Sequence, residues 1–299
     1  MRTADTTLEI FKKETRLVFR RFVPFAFGLF ALSTVLHAAQ PKFTLGEWSV
    51  MQDFTDSSGT TIHYYLFTPK TDAAAKVPLV VWLHGGVKSN GTGAPNLPAD
   101  AFYKDEHQKA HPCYILRPVA IQGQNWITPG GAGTSTHTMP EKPSRSLAAV
   151  AELIDKIVKE KPIDEARQYV LGASMGGYGT WDIVERFPKK FAAALPMCGA
   201  GDPGKAESLK AMPLWIFHGD SDKIVSVKGS RDMFQALIKA RNEQPPAKDE
   251  AQHSIQKSAD GKLRYSEYIG GGHNSGWDNA LAEPELLEWV FAQSLPKEK

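Results

Sequence analysis

The chain has 299 residues, 42% of them hydrophobic and 23% charged, with 35 Lys and Arg against 33 Asp and Glu and a net charge of +2. That length buries one substantial core, and the composition excludes a disordered tail or a fibre. A near-neutral balance without a long Lys/Arg block excludes nucleic acid as the expected partner, and the two cysteines, Cys113 and Cys198, supply neither a disulfide framework nor a C-x-x-C pair.

The first 38 residues differ from the rest. Arg16, Arg20 and Arg21 precede an apolar stretch from Phe22 to Leu36, and Ala38 and Ala39 supply small residues for cleavage. This is the pattern of a secretory signal peptide over 1–38, followed by one domain over 39–299. Pro24 and Gly28 interrupt the stretch, which falls short of the roughly 20 residues a spanning helix needs. An uncleaved membrane anchor is the rival reading. Cleavage after Ala38 leaves a net charge of −1, so the small basic excess belongs to the leader. An exported chain, periplasmic or extracellular and without stable membrane association, is expected; Cys113 and Cys198 are read as buried free thiols.

In chain order, "WSVMQDFTD" and "TIHYYLFTP" flank Asp56–Gly59 as an antiparallel hairpin. "VPLVVWLHGG" is a nearly continuous apolar run, the mark of a strand buried on both faces. "CYILRPVAI", "RQYVLGAS", "FAAALPMCG" and "MPLWIFHGD" follow, with "LRYSEYIGGGH" as the last strand. Between Ser144 and Lys161, and again from Ser226 to Arg241, apolar residues recur at helical spacing. Strands alternating with such helices predict an α/β fold: a mostly parallel sheet with an antiparallel N-terminal hairpin and helices on both faces. Residues 119–143 have no period and read as a loop of the kind that is either functional or disordered; Gln244 to Lys262 read as a polar surface excursion.

"YVLGASMGGYGTW" (169–181) places Ser174 between Gly172 and Gly176 at a strand-to-helix reversal. Residues two before and two after such a serine pass almost in contact, so only very small side chains fit: this is the G-x-S-x-G corner that exposes a nucleophilic hydroxyl. In open parallel sheets ligands gather at the carboxyl ends of strands. There the chain places Ser174, then Asp220 and Asp222, then His273. That order suits a serine whose proton is taken by an imidazole, itself oriented by a carboxylate. Spacing does not decide between the two aspartates, either of which serves equally well as a cap or turn residue. The backbone N–H of Met175, at the new helix start, and that of Gly86, after "LHG", are candidate oxyanion donors. Trp126 in the aperiodic loop and Trp277 near His273 are candidate substrate walls; Trp181 reads as core and Asp202 as a turn residue. His84 and His218, each before a glycine, are read as satisfying backbone groups. No metal-ligand spacing accompanies them, and no metal or cofactor is expected.

With "GASMGGYGTWDIVERFPKKFAAALPMCGAGDP", "PLWIFHGDSDKIVSVKGSRDMFQAL" and "YIGGGHNSGWDNA", the chain from Val77 to Leu295 resembles a bacterial α/β-hydrolase group. That group includes the dienelactone hydrolases, phospholipase/carboxylesterases and polyhydroxyalkanoate depolymerase-like esterases, especially exported members known as predicted peptidases. The resemblance implies Ser174 as nucleophile, Asp222 as the acid, His273 as the base and Gly86 as second oxyanion donor. One departure is that "HGGVKSNGTG" stands where the group often has a longer polar loop. The expected activity is hydrolysis of carboxylic esters, with small-molecule or polysaccharide-linked substrates, acetyl or feruloyl, by analogy. A serine peptidase and a non-catalytic carbohydrate-binding protein on a hydrolase fold are the alternatives.

Overall fold

The computed structural model describes residues 45–72, 75–86, 100–127, 137–246 and 253–296. The expected leader over 1–38 lies outside them. Among the described residues no helix is long and apolar enough to cross a membrane.

Strand β1 (Gly46–Trp48), β2 (Gln52–Thr55) and β3 (Thr61–Pro69) open the domain, followed by β4 (Val77–Leu83), helices α1 (Asp100–Tyr103) and α2 (Asp105–Ala110), and β5 (Tyr114–Val119). Then come α3 (Arg145–Glu160), β6 (Ile163–Ala173), α4 (Met175–Arg186), β7 (Ala193–Met197), α5 (Ala206–Leu209), β8 (Leu214–Gly219) and α6 (Lys228–Ala240). β9 (His253–Lys257), β10 (Leu263–Tyr268), α7 (Ser275–Leu281) and α8 (Leu286–Phe291) complete the chain. The strands form one sheet in the order β1-β3-β5-β4-β6-β7-β8-β10-β9, with β2 also on β3. From β5 through β10 every neighbour is parallel; β3 joins β5 antiparallel and β9 joins β10 antiparallel.

Alternation along the central strands feeds two cores. Leu79, Val81 and Leu83 of β4 join the layer under α3, α4 and α6, while Val80 and Trp82 join the layer under α1, α7 and α8. Both faces are therefore covered, which is why these strands read as unbroken apolar runs. The helix expected over Ser144–Lys161 is α3, with Ser144 Oγ accepting from Leu147 N–H at 3.0 Å as its N-cap. Its expected stripe, including Leu147, Val150, Ile154 and Ile157, is buried.

Two readings change. "WSVMQDFTD" is not one strand: β1 pairs with the far end of β3 and β2 with its start, leaving Val50 and Met51 exposed on a corner between them. The polar excursion contains a strand, β9, against the edge of β10. An edge strand needs backbone pairing more than apolar side chains, so its pattern carries little signal.

On α4, Asp182 is fully buried and pairs with Arg186 at 2.5 Å. Arg186 also donates to the carbonyls of Pro140 (2.6 Å) and Glu141 (3.0 Å), tying down the descending part of the long loop. Removing one member of a buried pair strands the other charge. Asp182→Ala is accordingly expected to cost about 3–5 kcal/mol in urea denaturation, against less than about 1 kcal/mol for the exposed Lys156–Glu160 pair.

Candidate active site

The corner after β6 is built on absent side chains. A Cβ on Gly172 would lie 2.5 Å from Gly176 O and 2.7 Å from Leu83 O, and one on Gly176 would lie 1.8 Å from Leu83 O. With that close passage, Ser174 takes φ 56°, ψ −117°, a strained conformation for a residue with a side chain. Its N–H donates to Met197 O at 2.8 Å, pinning the corner to β7. Met175 begins α4, so its N–H is among those for which the helix itself offers no acceptor.

The ends of β8 and β10 are pressed together just as tightly: a Cβ on Gly219 would lie 2.3 Å from Gly271 O. Ser221 N–H donates to Gly271 O at 3.0 Å, and Gly270 N–H to Asp220 Oδ1 at 2.7 Å. Asp220 thus fastens the two strand ends to each other, while Asp222 turns inward. His273 Nδ1 lies 2.6 Å from Asp222 Oδ2, and His273 Nε2 lies 2.9 Å from Ser174 Oγ. The structure brings Ser174, His273 and Asp222 into one hydrogen-bonded line. A hydroxyl so placed can pass its proton to the imidazole as the oxygen attacks a carbonyl, and the carboxylate faces the charge that then forms on the ring.

Asp222 is held from all sides, its side chain fully buried. Oδ1 accepts from the N–H groups of Ile224 (2.8 Å) and Val225 (3.0 Å), and Oδ2 accepts from His273 and, at 3.2 Å, from His218 Nε2. Burial alone would raise its pKa, but these hydrogen bonds outweigh it and hold the carboxyl well below the usual range. Beside it Cys198, at φ 49°, places Sγ 3.2 Å from His273 O. Burial, followed by the charge of Asp222, pushes that thiol up, so it stays protonated. Cys198, Asp222 and His273 have donor atoms within 4.8 Å of one another, close enough to share a cation. A cation there would have to displace the hydrogen bonds just described.

The loop after β4 also reaches the corner: a Cβ on Gly85 would be 3.6 Å from Ser174 Cβ. His84 sets its course. The Ala120 N–H donates to His84 Nε2 at 3.1 Å, which leaves Nδ1–H to donate to Gly85 O at 2.7 Å. Burial lowers this imidazole's pKa, keeping it neutral for both bonds. Gly86 follows, exposed and, among the described residues, with nothing within 4 Å of where a side chain would be.

Trp126 requires a correction. It is 0% exposed, lies edge-on to His84, and its indole N–H donates to His84 O at 2.8 Å. A ring sealed in the core cannot offer a wall to a substrate; it props the β4 loop from behind. Trp277 is half-buried, its ring perpendicular to that of His273 with centroids 5.0 Å apart. Trp181 is core as expected, and Asp202 caps Gly204 N–H while also accepting from Met139 N–H. Cys113 and Cys198 are free and buried. The contact that residue patterns missed is His218 against Asp222; its place four residues before Asp222 was the available signal.

A serine at the strand-to-helix corner of a mostly parallel sheet, with an aspartate and a histidine arriving from later strand ends, defines the α/β-hydrolase fold. The family model described as "Putative esterase" matches residues 55–287, and the chain belongs to that esterase family. Among solved structures it is similar to a thermostable esterase, with 34% identity and a TM-score of 0.68, over 82% of this chain and 63% of that one. It shares its fold with an acetyl xylan esterase from Aspergillus awamori, at 17% identity and a TM-score of 0.61, over 81% of this chain and 99% of that one. A 118-residue stretch, 37% of this chain, is 30% identical to the bifunctional acetylxylan esterase/xylanase of Neocallimastix patriciarum, of which it spans 17%.

The crowding at the corner makes a direct prediction. A methyl group on Gly176 must push the β4 backbone aside, so Gly176→Ala is expected to destabilise by about 3 kcal/mol or more, or to prevent folding. Gly86→Ala, in open space, is expected to change the same urea midpoint by less than about 0.5 kcal/mol of stability.

Proposed function

We propose that the chain hydrolyses carboxylic esters through an acyl-enzyme on Ser174. The observation that carries this reading is the unbroken line Ser174 Oγ–His273 Nε2 (2.9 Å) and His273 Nδ1–Asp222 Oδ2 (2.6 Å). His273 takes the hydroxyl proton as Ser174 Oγ bonds to the ester carbonyl carbon, and Asp222 stabilises the imidazolium. The oxyanion is received by the N–H groups of Met175 and Gly86, which are worth roughly 3–4 kcal/mol each in comparable sites. His273 then returns the proton to the departing alcohol. In the second half a water, deprotonated by His273, attacks the acyl carbon and releases Ser174.

The proposed substrate is an acetyl ester on a polysaccharide or its fragments. The stretch similar to an acetylxylan esterase/xylanase supports it. Trp126, in the core, does not supply the aromatic wall that would favour a feruloyl group, so acetyl takes precedence. Trp277, against His273, is proposed to border the bound ester. The Arg-led apolar segment at 1–38 supports export to the periplasm or beyond; the exported protein, sequenced from its N-terminus, is expected to begin near Ala39.

Ser174→Ala is expected to lower kcat on p-nitrophenyl acetate by at least about 10⁴-fold while leaving Tm within a few degrees. Near-normal turnover by that variant would remove Ser174 from the reaction. Acetylated xylo-oligosaccharides are expected to give a higher kcat/KM than feruloylated ones, and the reverse order would overturn the acetyl assignment.

A further inference from the structure

His218 is the penultimate residue of β8 and is wholly buried. Its Nε2 lies 3.2 Å from Asp222 Oδ2 and 3.1 Å from Val225 O. A carbonyl and an ionised carboxylate only accept, so Nε2 carries the proton. Its Nδ1 lies 2.7 Å from the hydroxyl of Ser230 on α6, which itself donates to Gly199 O at 3.2 Å. A chain of polar contacts therefore runs from Ser230 through His218, Asp222 and His273 to Ser174. Its midpoint is one carboxylate oxygen, Asp222 Oδ2, shared by two imidazoles.

We propose that His218 is a positioning residue that tunes the base: by donating to the oxygen that faces His273, it weakens the hold of Asp222 on a proton at His273 and keeps the base free at lower pH. This rests on the proposed roles of Ser174, His273 and Asp222. A carboxylate oxygen that accepts two hydrogen bonds places less negative charge on each donor than one that accepts a single bond. Removing His218 Nε2–H concentrates Oδ2 on His273 and favours its protonated form. Two further ionisable groups on the neighbouring strands have partners of their own. From β7, the Cys198 thiol faces His273 O. From β10, Glu267, in register with His218, is bound to Arg231 of α6 (2.8 Å) and Tyr265 (2.6 Å). Asp222 is the group through which a change at His218 reaches the base.

Two isosteric variants separate this role from mere packing. The amide nitrogen of Gln falls near the Nε2 position and reaches Asp222, whereas that of Asn falls near Nδ1 and reaches Ser230. With p-nitrophenyl acetate, His218→Asn is expected to move the acid limb of the kcat/KM profile up by about half a pH unit or more, with KM within about twofold. His218→Gln is expected to return the limb most of the way. A folded His218→Asn whose limb coincides with wild type, or Asn and Gln variants that shift alike, overturns the proposal. The wild-type protein supplies a test that needs no variant: ¹⁵N-labelled histidine spectra should show His218 protonated at Nε2, and an Nδ1–H tautomer overturns the proposal. Ser174→Ala assayed alongside distinguishes the two levels. If it stays active the triad reading fails; if it is inactive while His218→Asn behaves as wild type, only the role of His218 fails.

Discussion

The whole site depends on a steric exclusion at the corner between β6 and α4. Gly172, Gly176 and the Leu83 carbonyl occupy space in which no Cβ fits. Because they pass so closely, the chain reverses within one residue, Ser174 is forced to positive φ, and α4 starts at the next residue. Every later element is organised around that point. The β4 loop runs past it with Gly85 in near contact, and β8 and β10 deliver their ends to the same rim through an equally tight approach of Gly219 to Gly271. Backbone strain of this kind costs on the order of 1–3 kcal/mol and persists only where the surrounding packing over-determines it. Here two apolar layers, one on each face of the central strands, supply that packing.

Upon this frame the polar groups are connected with little slack. Asp222 receives two backbone and two imidazole donors, and His84 resolves its tautomer by accepting from one backbone N–H and facing one carbonyl. Each side chain at the rim is thus oriented by a second contact behind it, which is how a site keeps its geometry without waiting for ligand. Trp126 belongs to that supporting layer: its indole N–H holds the carbonyl of His84, and its Cβ fills the space that Gly179 leaves open.

Much of this was legible in the residues. The Gly-x-Ser-x-Gly spacing has a steric cause that survives into three dimensions unchanged, and the apolar runs marked the parallel strands because both faces are buried. The choice between Asp220 and Asp222 was not legible from spacing, since both follow the same strand; only the fold shows that Asp220 caps Gly270 while Asp222 meets His273. Trp126 misled because loop composition says where a backbone lacks period, not where an indole goes. β9 was invisible because a polar edge strand is defined by pairing. His218 was half legible: a buried histidine at a strand end does meet a backbone carbonyl, that of Val225, but its link to Asp222 depends on a turn geometry that spacing alone does not specify.

The clamp on the descending part of the long loop has a wider implication. Arg186 holds the carbonyls of Pro140 and Glu141, and Asp202 holds the N–H of Met139. These grips close on main chain alone, so they do not depend on the side chains of Met139, Pro140 and Glu141. The molecule thus holds two kinds of fixed point: a corner at Ser174 where one added methyl is ruinous, and a loop anchorage that stays shut when the lettering of residues 139–141 is rewritten.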